Sequence, residues 1–351
     1  MKVLFLPYNM ASMPAITANF LNENTETVAK CLTVHIHKYQ QVTHDLIFLP
    51  KSVSKKTPIK WLYHKLTFSG KVRKWIRWAD VIHYTYSALY SDGKDVEYAN
   101  MLKKKIFIEW VGSDIRNPEY LMSINKYYKQ AFHNGYEYAS YESKEQSIKN
   151  QSLFAKNNAI PLLCAEMKLH IDPKYFKDVQ LLYQRINVKD FTPHYPALDN
   201  KRPLIIHSPT AKVGKGSDII IPIIEDLKKH YEFDFLLLHD MSRAVVLETM
   251  EKADVFLDQI ICGGYGMASM EAMSYGKPVM CFIMPEVFAA GLSHECPIIN
   301  TNPDNLKEQL IRIITNSTLR NDIGRKSRAY AEKFHDAESI TDQLLSIYKR
   351  G

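Results

Sequence analysis

Residues 263–279 read Gly263-Gly264-Tyr265-Gly266-Met267-Ala268-Ser269-Met270-Glu271-Ala272-Met273-Ser274-Tyr275-Gly276-Lys277-Pro278-Val279. The glycines predict a tight turn, the residues after Gly266 a short helix from about Met267, Gly276 its stop, and Pro278-Val279 the start of a buried strand. Glycines at such a turn let backbone N–H groups approach a ligand, and a helix N-terminus favours an anionic partner. Glu271 falls about one turn into the helix, where a carboxylate accepting two hydrogen bonds suits the vicinal hydroxyls of a ribose. An ordinary strand–turn–helix with a surface glutamate has the same spacing.

A second candidate segment is His207-Ser208-Pro209-Thr210-Ala211-Lys212-Val213-Gly214-Lys215-Gly216, lying between the apolar runs Leu204–Ile206 and Ile219–Ile224. Two lysines three apart, in a glycine-containing loop at a strand's carboxyl end, have the charge and reach to clamp a diphosphate. Solvated loop lysines are the competing reading. His83 and His207 are placed at strand ends facing a cleft, with a satisfied structural histidine as the alternative. No Asp-x-Asp occurs in the chain, and no metal ligand set is expected.

The elements that must carry these residues fall into two series. Short apolar runs at Val3–Leu6, Leu46–Leu49, Val81–Tyr84, Ile106–Trp110 and Ser140–Glu142 form the first. Leu204–His207, Phe233–Leu238, Val255–Leu257, Pro278–Ile283 and Ile298–Ile299 form the second. Strands alternating with helix-length segments predict parallel sheets covered on both faces, with ligands beyond the strands' carboxyl ends. The proline-rich, weakly apolar stretch from Asp190 to Pro203 marks a linker. The expected organisation is a domain over 1–190, a linker over 191–203, a second domain over 204–335, and a closing helix over 336–351 that returns to the first domain.

Taken together, the two candidate segments resemble the retaining glycosyltransferases of family 4, in particular those of bacterial surface polysaccharide biosynthesis. Glu271-Ala272-Met273, Gly276-Lys277-Pro278-Val279 and Lys215-Gly216 match that family's pattern as they stand, and Lys212 occupies its usual arginine position. Ala253–Gln259, Glu295–Asn300 and the tail at Tyr330–Tyr348 extend the likeness over the second half. The resemblance implies the GT-B fold: two facing Rossmann-like, doubly wound α/β domains with parallel sheets and an interdomain cleft. It implies that Lys212 and Lys215 hold the donor diphosphate, that Glu271 holds the ribose, and that Gly263, Gly264, Tyr265, Gly266 and Met267, with His207, line the donor site.

In the first half, the opening strand with Asn9, the segment Asp80–Tyr84 with His83, and Trp110–Arg116 with Asp114 and Arg116 resemble acceptor-side segments. The usual Gly-Gly loop after the first strand is lacking. Two positions depart from the family: Gly263 stands where its first glutamate of a seven-spaced pair would be, and Val111 stands where its histidine would be, with Glu109 in an alternative register. The glycine is expected to leave room and remove a carboxylate. The implied reaction is transfer of a sugar, with retention, from a UDP- or GDP-linked donor to a glycan or lipid-linked acceptor, with no metal and no cofactor beyond the nucleotide sugar. A donor phosphate oxygen takes the acceptor's proton, so the protein's main task is to stabilise the departing diphosphate. A non-catalytic scaffold partnering another transferase and a nucleotide-sugar epimerase are the alternatives.

Composition bounds the rest. With 351 residues, 46% hydrophobic and 24% charged, the chain is long enough for two cores and too apolar for a disordered protein. The five scattered cysteines predict free thiols rather than a disulfide framework. Neither a leader nor a membrane span is predicted, and the expected location is cytoplasmic, peripheral on the inner face of the membrane. The formal charge of +7 is concentrated: Lys51–Trp78 holds nine Lys or Arg and no Asp or Glu, interleaved with Trp61, Leu62, Tyr63, Leu66, Phe68, Trp75, Ile76 and Trp78. An anionic membrane surface is the expected partner of that segment, against a plain solvated helix. Nucleic acid is not expected.

Overall fold

Two parallel sheets, each in its own unit, carry the structure, a computed structural model that describes residues 1–36 and 46–350. The first unit comprises Met1–Ile115, Glu145–Leu182 and Ala337–Gly351. Its strands are β1 (Lys2–Leu6), β2 (Val28–Thr33), β3 (Leu46–Phe48), β4 (Val81–Thr85), β5 (Lys105–Trp110), β6 (Ile160–Leu163) and β7 (Gln180–Leu181). They lie in the order β3-β2-β1-β4-β5-β6-β7, all neighbours parallel, with Leu6 opposite Tyr84 across the central pair. Val3, Leu4, Phe5, Val81, Ile82 and Tyr84 are fully buried, as a sheet covered on both faces requires.

The second unit comprises Arg116–Lys144 and Tyr183–Asp336. Its strands β8 (Leu204–His207), β9 (Asp234–Leu237), β10 (Val255–Leu257), β11 (Val279–Cys281) and β12 (Ile299–Asn300) are parallel in the order β12-β11-β10-β8-β9. The chain leaves β8 for β9 on one side and returns to β10 on the other. The switch point between β8 and β10 is where an open sheet of this kind leaves a crevice.

Helices used below are α1 (Met13–Asn24), α2 (Pro58–Trp78), α3 (Lys212–Lys215), α4 (Ser217–Leu227), α5 (Arg243–Lys252), α6 (Met267–Ser274), α7 (Ser317–Phe334) and α8 (Ala337–Arg350). In the first unit, Tyr348 of α8 is buried and packs its ring 4.9 Å from that of Phe107. The stretch from Asp190 to Pro203 is fastened to the second unit: His194 N–H donates to Tyr275 O at 2.8 Å, and Arg328 Nη1 donates to Phe191 O at 2.6 Å. Its prolines and sparse apolar residues mark irregular backbone held by side chains, and the division between units falls earlier, after Leu182.

One predicted strand is absent. Ser140–Glu142 forms turns, and Glu142 is buried as an acceptor for Arg116 Nη1 at 2.5 Å, Tyr128 Oη at 2.6 Å and Tyr136 Oη at 3.1 Å. A carboxylate with three donors satisfies itself through side chains and needs no ladder. β2, β6 and β7 were not legible as strands: Lys30 interrupts the first run, Pro161 the second, and the third has only two residues.

Candidate functional site

The β8–β10 switch point brings together His207, Lys215 and Asp258 of the second unit. His207 ends β8 and is fully buried. Its Nδ1 lies 2.8 Å from Leu257 O and its Nε2 2.9 Å from Ser217 Oγ. A carbonyl can only accept, so Nδ1 carries the proton and Nε2 accepts from the serine. Both nitrogens are satisfied only in the neutral ring, and burial lowers the pKa to about 4. His207 therefore organises the strand ends, with no ring nitrogen left over for a ligand.

Lys215, the last residue of α3, pairs through Nζ with Asp258, the residue after β10. The other Asp258 oxygen accepts from Ser269 Oγ of α6 at 2.5 Å. Burial opposes the charge on Lys215, but the Asp258 carboxylate outweighs it and holds the lysine pKa above its ordinary value. One carboxylate thus ties the loop after β8, the loop after β10 and the start of α6 into one corner. Lys212 lies at the other end of α3, exposed, with no side-chain partner among the described residues.

Gln259 shapes the loop between β10 and α6. Its Oε1 accepts from the N–H groups of Ile261 at 2.9 Å and Cys262 at 2.6 Å, while its Nε2 donates to Gly264 O. Asn125 Nδ2 braces the same loop by donating to Ile261 O at 2.8 Å. Gly263 has φ +90°, and a β-carbon there would overlap Met284. The space expected from the missing glutamate is therefore filled by Met284, and the backbone conformation itself disfavours any side chain. Gly266 caps α6 with open space where a β-carbon would go, and Met267 is half-buried at the first helical position. The Tyr265 hydroxyl is directed elsewhere, 2.9 Å from His335 Nε2 and 3.2 Å from Tyr330 Oη. Only its backbone remains to line a site at the turn.

Glu271 is buried and accepts from Arg243 Nη2, from the first residue of α5, at 2.5 Å. Burial raises the Glu271 pKa and Arg243 opposes that rise. Glu271 follows Ser269 by two positions, a rotation of about 200° on an α-helix. Lys215 and Glu271 consequently flank opposite sides of α6, and no contact joins Glu271 to either lysine among the described residues. Glu137 occupies the start of α3, where Oε1 and Oε2 accept from the N–H groups of Val213 at 2.9 Å and Gly214 at 3.0 Å. These donors already have an anionic partner from the Arg116–Lys144 segment.

The remaining candidates divide between the units. In the first, Asn9 follows β1 and is fully buried, with Oδ1 accepting from Ala15 N–H at 3.0 Å. Ala11 and Ser12 take φ +51° and +64°, left-handed values that L-residues rarely adopt. The loop that lacks glycines still uses glycine-like backbone, a cost of order 1 kcal/mol per residue. His83 sits in the middle of β4, not at its end, fully buried, with Nδ1 2.5 Å from Tyr348 Oη and Nε2 3.2 Å from Glu109 Oε2. Asp114 is buried and closes its own turn, accepting from Val111 N–H at 3.0 Å and Gly112 N–H at 2.6 Å. Arg116 belongs to the second unit and is committed to Glu142.

Asp258, Ser269, Gln259, Arg243 and Glu137 were missed as site residues. Asp258 was discernible as an acid directly after a buried apolar run, whereas Arg243 and Glu137 meet their partners only through tertiary packing.

Solved structures with this architecture span essentially the whole chain. Sucrose-phosphate synthase from Thermosynechococcus elongatus superposes with a TM-score of 0.65 at 12% identity, covering 99% of this chain and 98% of its own. HepE of Anabaena, solved in complex with UDP, gives 0.62 at 13% identity over 100% of both chains. A glycosyltransferase from Rickettsia africae gives 0.63 at 12% identity over 99% of this chain and 97% of its own. The fold is GT-B. At the sequence level, an uncharacterized glycosyltransferase of Methanocaldococcus jannaschii is 24% identical over 143 residues, 34% of this chain. The match spans 40% of that relative's length. No family model matches the sequence. As a GT-B chain, the protein has the architecture in which the sequence resemblance placed its donor residues in the second unit.

Proposed function

We propose that this chain is a glycosyltransferase that takes a sugar from a nucleoside diphosphate donor bound at the β8–β10 switch point of its second unit. The observation that carries the reading is the Lys215–Asp258–Ser269 chain, which fixes an ammonium at the carboxyl ends of these strands, beside the N-terminus of α6. Lys215 and Asp258 neutralise each other at long range, so Lys215 supplies direction through its remaining N–H bonds. Lys212, exposed and with no side-chain partner among the described residues, supplies a second ammonium, beside the Glu137 carboxylate at the start of α3. The pyrophosphate lies against these lysines and the Gly264–Met267 turn, and the ribose hydroxyls reach Glu271, whose Oε2 is not taken by Arg243. A nucleoside diphosphate is long enough to bridge the two sides of α6, which a single-point ligand is not.

In the finer reading, transfer proceeds with retention and without a metal, from a UDP- or GDP-linked hexose to a glycan or lipid-linked acceptor in surface polysaccharide assembly. Fixed cationic and N–H donors stabilise the leaving diphosphate, and a phosphate oxygen receives the acceptor's proton. The fold and the family resemblance of the second half support this.

The test is turnover with a panel of nucleotide sugars, ranked first by thermal stabilisation of the protein. Lys215→Ala and Glu271→Ala each lower kcat/KM at least about tenfold, equivalent to roughly 1.4 kcal/mol of transition-state stabilisation. Wild-type rates in both variants would falsify the assignment.

A further inference from the structure

Helix α2 is only half docked. Phe68, Val72 and Ile76 enter the core of the first unit, and no residue of α2 before Phe68 is buried. That half touches the rest of the unit through His64, whose Nε2 lies 2.5 Å from Pro50 O, and exposes Ile59 at 85%, Leu62 at 50%, Tyr63 at 61% and Leu66 at 73%. Their spacing of i, i+3, i+4 and i+7 sets them in one stripe. Continuing the same helical face, at about 100° per residue, leads to Arg73, Lys74 and Arg77, all exposed. The outward face is thus apolar at one end and cationic at the other. Lys55, Lys56, Lys60 and Lys65 are exposed around the apolar end, and Lys65 Nζ lies 5.2 Å from the Trp61 ring centre.

The geometry points to this face as a docking surface for an anionic lipid bilayer. Ile59, Leu62, Tyr63 and Leu66 enter the acyl boundary, while Arg73, Lys74 and Arg77 rest on headgroup phosphates. Charge selects the occupant. Nine cations and no acid from Lys51 to Trp78 demand a negatively charged surface, and a row of large aliphatic side chains demands an apolar layer beneath that charge. Nucleic acid offers the first without the second. Long lysine stems flanking the stripe can keep their ammonium groups at headgroup level while the stripe is immersed. No helix among the described residues is long and apolar enough to cross a membrane, so the contact is one of surface adsorption. It does not depend on the nucleotide-sugar reading, and the two can fail separately.

The intact protein is floated with vesicles of phosphatidylcholine alone or with about one third phosphatidylglycerol, near physiological salt. Wild type floats with the anionic vesicles and not with the neutral ones. The variants L62Q/L66Q and R73Q/K74Q/R77Q each lower the bound fraction about tenfold, and K228Q/K229Q on the other unit leaves it unchanged. Hydrogen exchange of the wild-type chain, which needs no variant to fold, slows over 58–67 when anionic vesicles are added. The proposal is overturned if wild type floats equally with neutral vesicles or with neither. It is overturned equally by variants that float like wild type, or by light scattering in which L62Q/L66Q splits a dimer, which would assign the stripe to a second copy.

Discussion

Arg243 is the one side-chain partner of the buried Glu271 carboxylate among the described residues, and Arg243→Ala isolates what that contact does. Stripping one partner from a buried ion pair costs about 3–5 kcal/mol. The Arg243 side chain is 33% exposed, so solvent screens part of this, and about 2 kcal/mol is expected near neutral pH. The pH dependence has a definite sign. Burial already lifts the Glu271 pKa, and without the guanidinium it rises further. A carboxyl whose folded-state pKa exceeds its unfolded value favours folding at low pH, and that contribution fades as pH rises through the folded value. The defect of Arg243→Ala is therefore smaller at about pH 5 than at about pH 8. Glu271→Gln removes the titrating group, and the double variant R243A/E271Q is more stable than the sum of the two single losses by about 1 kcal/mol. Urea unfolding at both pH values measures all of this. Equal midpoints for Arg243→Ala and wild type at both, or a defect that grows on acidification, would refute the argument.

Other expectations follow from the same corner of the molecule. His207 has a folded pKa of about 4 against 6.5 for the free side chain, so the unfolded chain binds the extra proton between those values. Stability falls as pH drops through that window, by up to about 3 kcal/mol, and His207→Gln should flatten the acid limb of a pH series of urea melts; an unchanged slope disproves the neutral assignment. Gly263→Ala places a β-carbon at φ +90° against Met284 and should cost about 2 kcal/mol, read as a lowered urea midpoint; wild-type stability would show that the turn adapts freely.

The fold class was legible because parallel strands buried on both faces leave apolar runs that survive in one dimension. Val3–Leu6, Val81–Tyr84, Leu204–His207 and Val255–Leu257 all lie in strands. Runs broken by Lys30 or Pro161 carried no such signal, and Ser140–Glu142 mimicked one while Glu142 was serving three side-chain donors. In the candidate site, the chemical types and order of Lys212, Lys215, the glycine turn and Glu271 were determined locally, because a loop, a cap and a helix start depend on neighbouring residues.

The commitments of those groups were decided only in three dimensions. Asp258 takes Lys215 from 43 positions away and Arg243 takes Glu271 from 28 positions away. His83 meets Tyr348 across 265 positions, which turns a histidine of the right type into a core residue. Charge pairing and burial are properties of distance in space, and the order of the strands together with the packing of the helices on them sets that distance.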